Sequence, residues 1–445
     1  MGRRVLYSSV LILKLKTMEL SKFNICTKLE SGNYAVFNSL STSVVELTED
    51  LYNQIFINKN YSDEELSSTL LELGILTADN EQDLAEIEQV RKKEIEKREQ
   101  IVTIFSTNRC NARCYYCFEK GINSNHMSES TADDVVKFLM NFYPEKKLSI
   151  KWFGGEPLLN MPAIERITHY LVKNGYILST HVTTNGSLIS KDILNFFKRD
   201  YETTTFQITI DDIGDRYNLI KRYTNTSFED PFQHIVENCK MTMNFGFHVS
   251  IRINHLFHEL DKGIKIHKQL QEIFGDCDPE KYIIYLAIIT LPNKAFNISK
   301  EERLQIMMKA REFNKRNKNL DKTDPKYQLY SYDLLPKLSP CSASNRYNLT
   351  ITADGDIFKC HRLVQYPQYR IGTVTTGIDV EHECFKFFCN WKVTDIQCRN
   401  CKMLPLCQGS CLAIKVLENS KIDCEMKDYI PLFLKEYMED NTQYG

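Results

Sequence analysis

Between residues 101 and 316, short β-branched or aromatic runs alternate with helical patterns, and this rhythm limits the fold more than any other feature of the chain. The runs are IVTIFST (101–107), LSIKWF (148–153), STHVTTN (179–185), TTFQITI (204–210), FHVSIRIN (247–254) and KYIIYLAII (281–289). Helical periodicity fills the gaps, for example at 131–142, 161–173 and 300–315. Successive β-α units imply a parallel sheet, either open or curled into part of a barrel. Chemistry in such α/β folds sits at the carboxyl ends of the strands. With 17 glycines and 12 prolines in 445 residues, collagen-like and low-complexity readings are excluded. The 56 basic and 58 acidic residues leave a net charge of −2, so no global basic field exists for nucleic-acid phosphates. No uncharged apolar run reaches the roughly 18 residues that a membrane-spanning helix needs. A cytoplasmic protein with neither nucleic-acid nor membrane partners is expected.

Ahead of this region, FNICTKL and YAVFNSL read as strands separated by the turn-forming Ser31-Gly32-Asn33. Amphipathic segments at 44–57 and 62–74 follow, the second opening with Ser62 and Glu65 in capping-box spacing and stopped by Gly74. Residues 1–80 are thus expected to form a small winged-helix-like domain. Residues 81–100 (EQDLAEIEQVRKKEIEKREQ) read as a charged helical linker, with Leu84, Ile87 and Ile95 as a sparse apolar stripe. The stretch from Met1 to Leu13 imitates a signal peptide, but Lys14 and Lys16 interrupt it and no small-x-small site follows. Met18 is therefore expected as the natural start, or residues 1–17 as an unstructured extension.

Cysteine use is unusual. There are 15, and most are clustered, which in a long chain without a good secretion signal points to metal rather than disulfides. Directly after the first run comes TNRCNARCYYCFEKG, with Cys110, Cys114 and Cys117 in C-x3-C-x2-C spacing. At this cysteine frequency the spacing arises by chance about 0.02 times. Three thiolates on one tight loop can hold three irons of a 4Fe–4S cluster and leave the fourth open. A zinc site would require a fourth ligand nearby, and none is obvious. A second group occupies 341–424: Cys341-x13-Gly355-x4-Cys360, then Cys398-x2-Cys401-x5-Cys407-x3-Cys411, then Cys424. Its four-cysteine core is expected by chance about 0.0006 times. The spacing alone also suits zinc. So loop-rich a segment could not bury a large core and reads as metal-stapled.

The first loop resembles that of the radical S-adenosylmethionine (SAM) superfamily. Tyr116 is the aromatic residue usual before the last cysteine, and Gly154-Gly155-Glu156-Pro157 ends the second strand as the GGEP motif does. Thr184-Asn185-Gly186 ends the third strand, and Gln207 to Asp211, with Thr209 between them, ends the fourth. The resemblance implies that these turns contact the methionyl and ribose groups of SAM. Where many relatives carry Asp-Gly and then Arg, this chain has Asp211-Asp212 and then Lys221-Arg222; Arg252 is a competing partner for the SAM carboxylate. The second group resembles the SPASM extension of radical SAM peptide-modifying enzymes. That likeness implies one auxiliary 4Fe–4S cluster on Cys398, Cys401, Cys407 and Cys424. It implies another on Cys341, Cys360 and Cys411, with Cys384 or Cys389 as a fourth ligand or an iron left open. Cys26, Cys239 and Cys277 lack ligand spacing and read as buried thiols. No residue stands out as a catalytic acid or base.

The fold expected from the resemblance is a partial (β/α)6 TIM-like barrel at 101–316. An N-terminal winged-helix-like peptide-recognition domain precedes it, and a C-terminal Cys-rich iron–sulfur (SPASM) domain follows at 317–445. The implied function is that of a maturase of ribosomally made precursor peptides, using SAM and three 4Fe–4S clusters to abstract a hydrogen and install cysteine thioethers. Its implied partners are a precursor peptide with a leader sequence and a flavodoxin- or ferredoxin-type electron donor. Carbon–carbon cross-linking and a sulfatase-type maturase are alternatives within the same chemistry, the extra N-terminal domain arguing against the latter. A zinc-stapled peptide-binding scaffold is the alternative outside it.

Overall fold

A computed structural model describes residues 18–117, 119, 124–224, 228–289, 299–316, 334–417 and 426–442; Cys424 and residues 1–17 lie outside them. The chain divides into two compact units. One draws on residues 1–97, 319–344 and 390–445, the other on 98–318 and 345–389.

In the first unit, strands β1 (Asn24–Lys28), β2 (Tyr34–Asn38) and β3 (Val44–Leu47) form an antiparallel sheet in sequential order. Gly32, at φ +89°, turns the chain between β1 and β2, as its Ser-Gly-Asn setting suggests. The third strand corrects the sequence reading, which took 44–57 as one amphipathic segment. Val44 to Leu47 instead pair with Phe37 to Tyr34, and the helical turn begins only at Glu49. Helix α1 (Glu64–Glu72) is capped by Asp63, whose carboxylate accepts from Leu66 N at 2.7 Å, so the Ser62–Glu65 capping box is not formed. Gly74 follows at φ +73° and ends the helix as expected. Helix α2 (Asn80–Glu96) buries Leu84, Ile87 and Ile95. Leu84 and Ile87 pack with Phe23, Val393 and Leu404, and the C-terminal helix α10 (Met426–Thr442) lies against β1 and β2.

The second unit contains all six predicted barrel strands. They are β4 (Ile101–Thr107), β5 (Lys147–Gly154), β6 (Ile177–Thr184), β7 (Thr203–Thr209), β8 (His248–His255) and β9 (Tyr282–Ile288). All run parallel and lie side by side in chain order. Right-handed crossovers in that order send every intervening helix to the same face, the winding of a barrel rather than of a doubly wound sheet. Helices α3 (Glu129–Phe142), α4 (Met161–Lys173), α5 (Lys191–Asp200), α6 (Asp215–Lys221), α7 (Pro231–Asn244) and α8 (Leu260–Ile273) connect the strands; α9 (Lys300–Arg316) follows β9. Every second strand residue is buried on the helix side, Ile104, Ile150, Trp152, Val182, Phe206 and Ile251 among them. Four short strands extend the sheet beyond β4: β10 (Leu349–Ile351), β11 (Asp356–Phe358), β12 (Gly372–Thr373) and β13 (Gly377–Ile378). The first runs parallel to β4, with Leu349 opposite Val102. Cys239 is buried, whereas Cys26 and Cys277 are half-exposed rather than buried as expected.

Candidate active site

The loop carrying Cys110, Cys114 and Cys117 leaves the carboxyl end of β4, where the register with β5 shifts between Phe105 and Thr107. Two glycines hold it. A Cβ on Gly154 would lie 2.2 Å from the Thr107 carbonyl oxygen, and one on Gly155 would lie 2.2 Å from that of Arg109. Only glycine lets the β5 turn close on the cysteine loop, and the backbone bonds Gly155 N to Thr107 O (3.1 Å) and Glu156 N to Arg109 O (2.8 Å) seal the contact.

Glu156 is fully buried. Its carboxylate accepts from Thr184 Oγ1 (2.7 Å), Asn185 N (2.7 Å) and Leu158 N (3.1 Å), tying the ends of β5 and β6 together. Burial raises its pKa to about 7 against the pull of those bonds. Pro157, next in the motif, starts a short helical turn and accepts from Ser106 Oγ at 2.9 Å. Asn185 donates to Asn111 Oδ1 (2.8 Å) and reaches Cys110 Sγ at 3.9 Å. Cys110 is half-buried, and burial together with the Glu156 charge pushes its thiol up to about 12.

Tyr116 turns into the end of β7. Its hydroxyl donates to Asp211 Oδ2, and Lys221 Nζ, 2.8 Å from the same carboxylate oxygen, donates to that hydroxyl at 3.1 Å. Asp211 also accepts from Asn254 N at 3.0 Å. Of the two cations at the place of the family's arginine, Lys221 is buried in this pair, while Arg222 is spent on the Arg113 carbonyl at 2.7 Å. Thr209 and Arg252 face each other in register across β7 and β8, with Arg252 Nε bonded to Asn254 Oδ1 at 2.8 Å.

One residue escaped the motifs. Glu119, two positions past Cys117, has a buried carboxylate oxygen, Oε2, with no partner among the described residues. Burial and the neighbouring Glu156 raise its pKa to about 8. A buried carboxyl group, Glu156, and a half-buried one, Glu119, beside a loop of free thiols fit a ligand that brings positive charge and hydrogen-bond donors, as the ammonium and sulfonium of SAM do. The three thiols likewise fit three corners of an iron–sulfur cluster.

The C-terminal cysteines lie on short elements. Cys398, Cys401, Cys407, Cys411 and Cys341 belong to the first unit and Cys360, Cys384 and Cys389 to the second. The Cys401 and Cys407 thiols bear on Cys398, and Lys415 Nζ approaches Cys398 Sγ at 4.0 Å. Arg91, buried on α2, adds a second cation. Its charge interacts with the Cys398 and Cys341 thiols, it donates to Gln408 O at 3.3 Å, and its Nε has no partner among the described residues. Arg91 continues the stripe of Leu84, Ile87 and Ile95, a signal that could have marked it as inward-facing. Cys384 and Cys389 are both buried at the helix Glu383–Phe388.

The profile of the radical SAM superfamily matches residues 104–270. This segment is a radical SAM domain. It contains the Cys110–Cys117 loop, the Gly154–Gly155 turn and the Tyr116–Asp211–Lys221 triad. The radical SAM cyclopropyl synthase TigE of Paramaledivibacter caminithermalis is 28% identical over 214 residues, 43% of this chain and 44% of that one. This chain thus spans less than half of that relative. An uncharacterized protein of Methanocaldococcus jannaschii is 26% identical over 263 residues, 58% of this chain and 83% of that one. In fold, the chain is similar to anSMEcpe solved with bound AdoMet and Cp18Cys peptide, with a TM-score of 0.57 at 18% identity over 78% of this chain and 98% of that one. Streptococcus suis SuiB bound to precursor peptide SuiA gives a TM-score of 0.52 at 15% identity over 91% of this chain and 98% of that one. Among the described residues no helix is long and apolar enough to cross a membrane.

Proposed function

We propose that the chain is a radical SAM maturase that abstracts a hydrogen from a ribosomally made precursor peptide and installs thioethers at its cysteines. The observation that carries this reading is the fold match over 91% of the chain to a protein solved with its precursor peptide. Cys110, Cys114 and Cys117 would hold the SAM-binding cluster. Auxiliary clusters would draw on Cys398, Cys401, Cys407 and the remaining C-terminal cysteines. When bound, these groups supply one-electron cleavage of SAM and hydrogen abstraction, the electron coming from a flavodoxin- or ferredoxin-type partner.

The chain's own residues do the positioning. Gly154 and Gly155 let the β5 turn close on the cysteine loop, Glu156 locks β5 to β6, and Tyr116 anchors the loop to Asp211 and Lys221. Glu119 would offer the cationic end of SAM its Oε2, which has no partner among the described residues. The three-stranded sheet, in which β3 has an unpaired outer edge among the described residues, is suited to add a leader peptide as a further strand. The likeness to a cyclopropyl synthase favours a second reading, carbon–carbon bond formation on such a peptide.

The test is anaerobic incubation of the reconstituted enzyme with SAM, dithionite and a cysteine-containing precursor, followed by alkylation. Formation of 5′-deoxyadenosine with cysteines that resist alkylation supports the thioether reading. Formation of 5′-deoxyadenosine with a peptide two hydrogens lighter and every cysteine alkylated supports the second. No 5′-deoxyadenosine from a fully loaded sample contradicts both.

A further inference from the structure

We infer that the inner face of the barrel carries an anion subsite, built on Lys151 and Arg252, that takes a carboxylate of the substrate. The inference rests on the peptide reading above, in which that group is an aspartate or glutamate side chain.

The six barrel strands contain no aspartate or glutamate. The carboxylates just past their ends are engaged: Glu156 by Thr184 and Asn185, Asp211 by Lys221, and Asp212 by Lys262 at 2.7 Å and Arg216 at 3.1 Å. The face turned away from the helices nonetheless carries Lys151 on β5, His181 on β6 and Arg252 on β8, all half-buried. The Lys151 ammonium makes no hydrogen bond or ion pair among the described residues. A partly desolvated cation without a counter-charge is costly unless a ligand supplies the negative charge.

The surroundings are arranged as a binding wall. Arg252 is held by Asn254, and its register partner Tyr285 donates to Gln207 Oε1 at 2.8 Å. His181 bonds Thr205 Oγ1 at 2.8 Å, one register step from Lys151. The His361 ring packs 5.2 Å from Phe153, which shares the inner face of β5 with Lys151, and the charges of both Lys151 and Arg252 act on that ring. Lys151 and Arg252, from β5 and β8, thus bear on the same ring that His361 packs over the inner face. The Arg252 guanidinium, held by Asn254 at its Nε and by the Tyr285 hydroxyl, is fixed in place with donors to spare for a carboxylate, and Lys151 adds a point charge.

The carboxylate of SAM has the same chemistry, but depth separates the two sources. Lys151 stands three residues before Gly154, about 10 Å down the strand from the turn that closes on the cysteine loop.

The test uses the reconstituted full chain saturated with SAM and two neutral-ended probes, N-acetyl-aspartate methylamide and N-acetyl-asparagine methylamide. The aspartate probe is expected to bind at least ten-fold more tightly than its isosteric amide. Lys151→Gln should abolish that preference and Lys151→Arg should keep it, while SAM affinity moves less than two-fold in either. Equal binding of the two probes, binding of neither, or a Lys151→Gln loss that falls on SAM instead of the probe would overturn the subsite. GTP binding more tightly than the aspartate probe would overturn the carboxylate assignment. Formation of 5′-deoxyadenosine in the same samples separates the two failures: cleavage without probe discrimination removes only the subsite, and no cleavage removes the maturase reading.

Discussion

The two cysteine regions sit in opposite electrostatic surroundings. At the barrel mouth, Cys110 feels the buried Glu156 carboxylate, which in turn interacts with the half-buried Glu119, and the buried lysine there is already paired with Asp211. In the first unit, Cys398 lies beside cations, Lys415 at 4.0 Å and buried Arg91. A site ringed by acid favours a cationic visitor that comes and goes. A site ringed by base permanently stabilises an anionic resident such as a thiolate-bound cluster. The contrast is the one that the proposed function calls for, with exchangeable SAM at the mouth and resident auxiliary clusters at the C-terminal cysteines.

The sharpest way to break that contrast is at the glycine contact. Gly155→Ala would drive a Cβ into the Arg109 carbonyl, and SAM cleavage should fall more than 100-fold with Tm lower by about 10 °C. Near-normal cleavage would mean the mouth is not held by this approach. Arg91→Met comes next. Removing a buried cation disfavours the more negative reduced state, so the potential of the C-terminal clusters should drop by on the order of 60 mV, with the mouth cluster unmoved. Redox titration followed by electron paramagnetic resonance reads both, and a shift at the mouth alone would reverse the comparison. Glu119→Gln should weaken SAM binding about ten-fold at unchanged iron content, as calorimetry would show.

The smallest effect belongs to the scaffold. His255 is buried, its Nδ1 meets Leu256 O at 2.9 Å and its Nε2 has no partner among the described residues. Burial holds its pKa below the ordinary 6.5. The unfolded chain then binds the proton more readily, so stability is full above pH 6.5 and declines as pH falls below it. Melting curves of His255→Gln between pH 7 and 5 should be flatter than wild type by a few degrees; identical slopes would place the acid sensitivity elsewhere.

Much of this architecture is legible in the residues. The barrel strands announce themselves because one face must be apolar under helices while the other meets a ligand, which writes a period of two into runs such as HVSIRIN. Strand β3 hides because V-V-E-L suits a helix equally, and only pairing with Tyr34 to Phe37 decides it. Strands β10 to β13 have two or three residues each, too few for any period, and exist by virtue of the sheet they extend. The thiols of the mouth are read from spacing alone. Glu119 is not, since nothing local distinguishes a buried glutamate from a solvated one. Arg91 could have been found on its stripe, but it sits in a charged run where an arginine ordinarily faces water.

The central claim is that Cys110, Cys114 and Cys117 hold an iron–sulfur cluster distinct from those of the C-terminal cysteines. Iron, sulfide and zinc should be counted per chain after anaerobic reconstitution, for wild type and for the variant with all three cysteines changed to Ala. The expected result is about twelve irons falling to about eight, with 5′-deoxyadenosine formation lost. Unchanged iron in the variant, or zinc with little iron in the wild type, would contradict it.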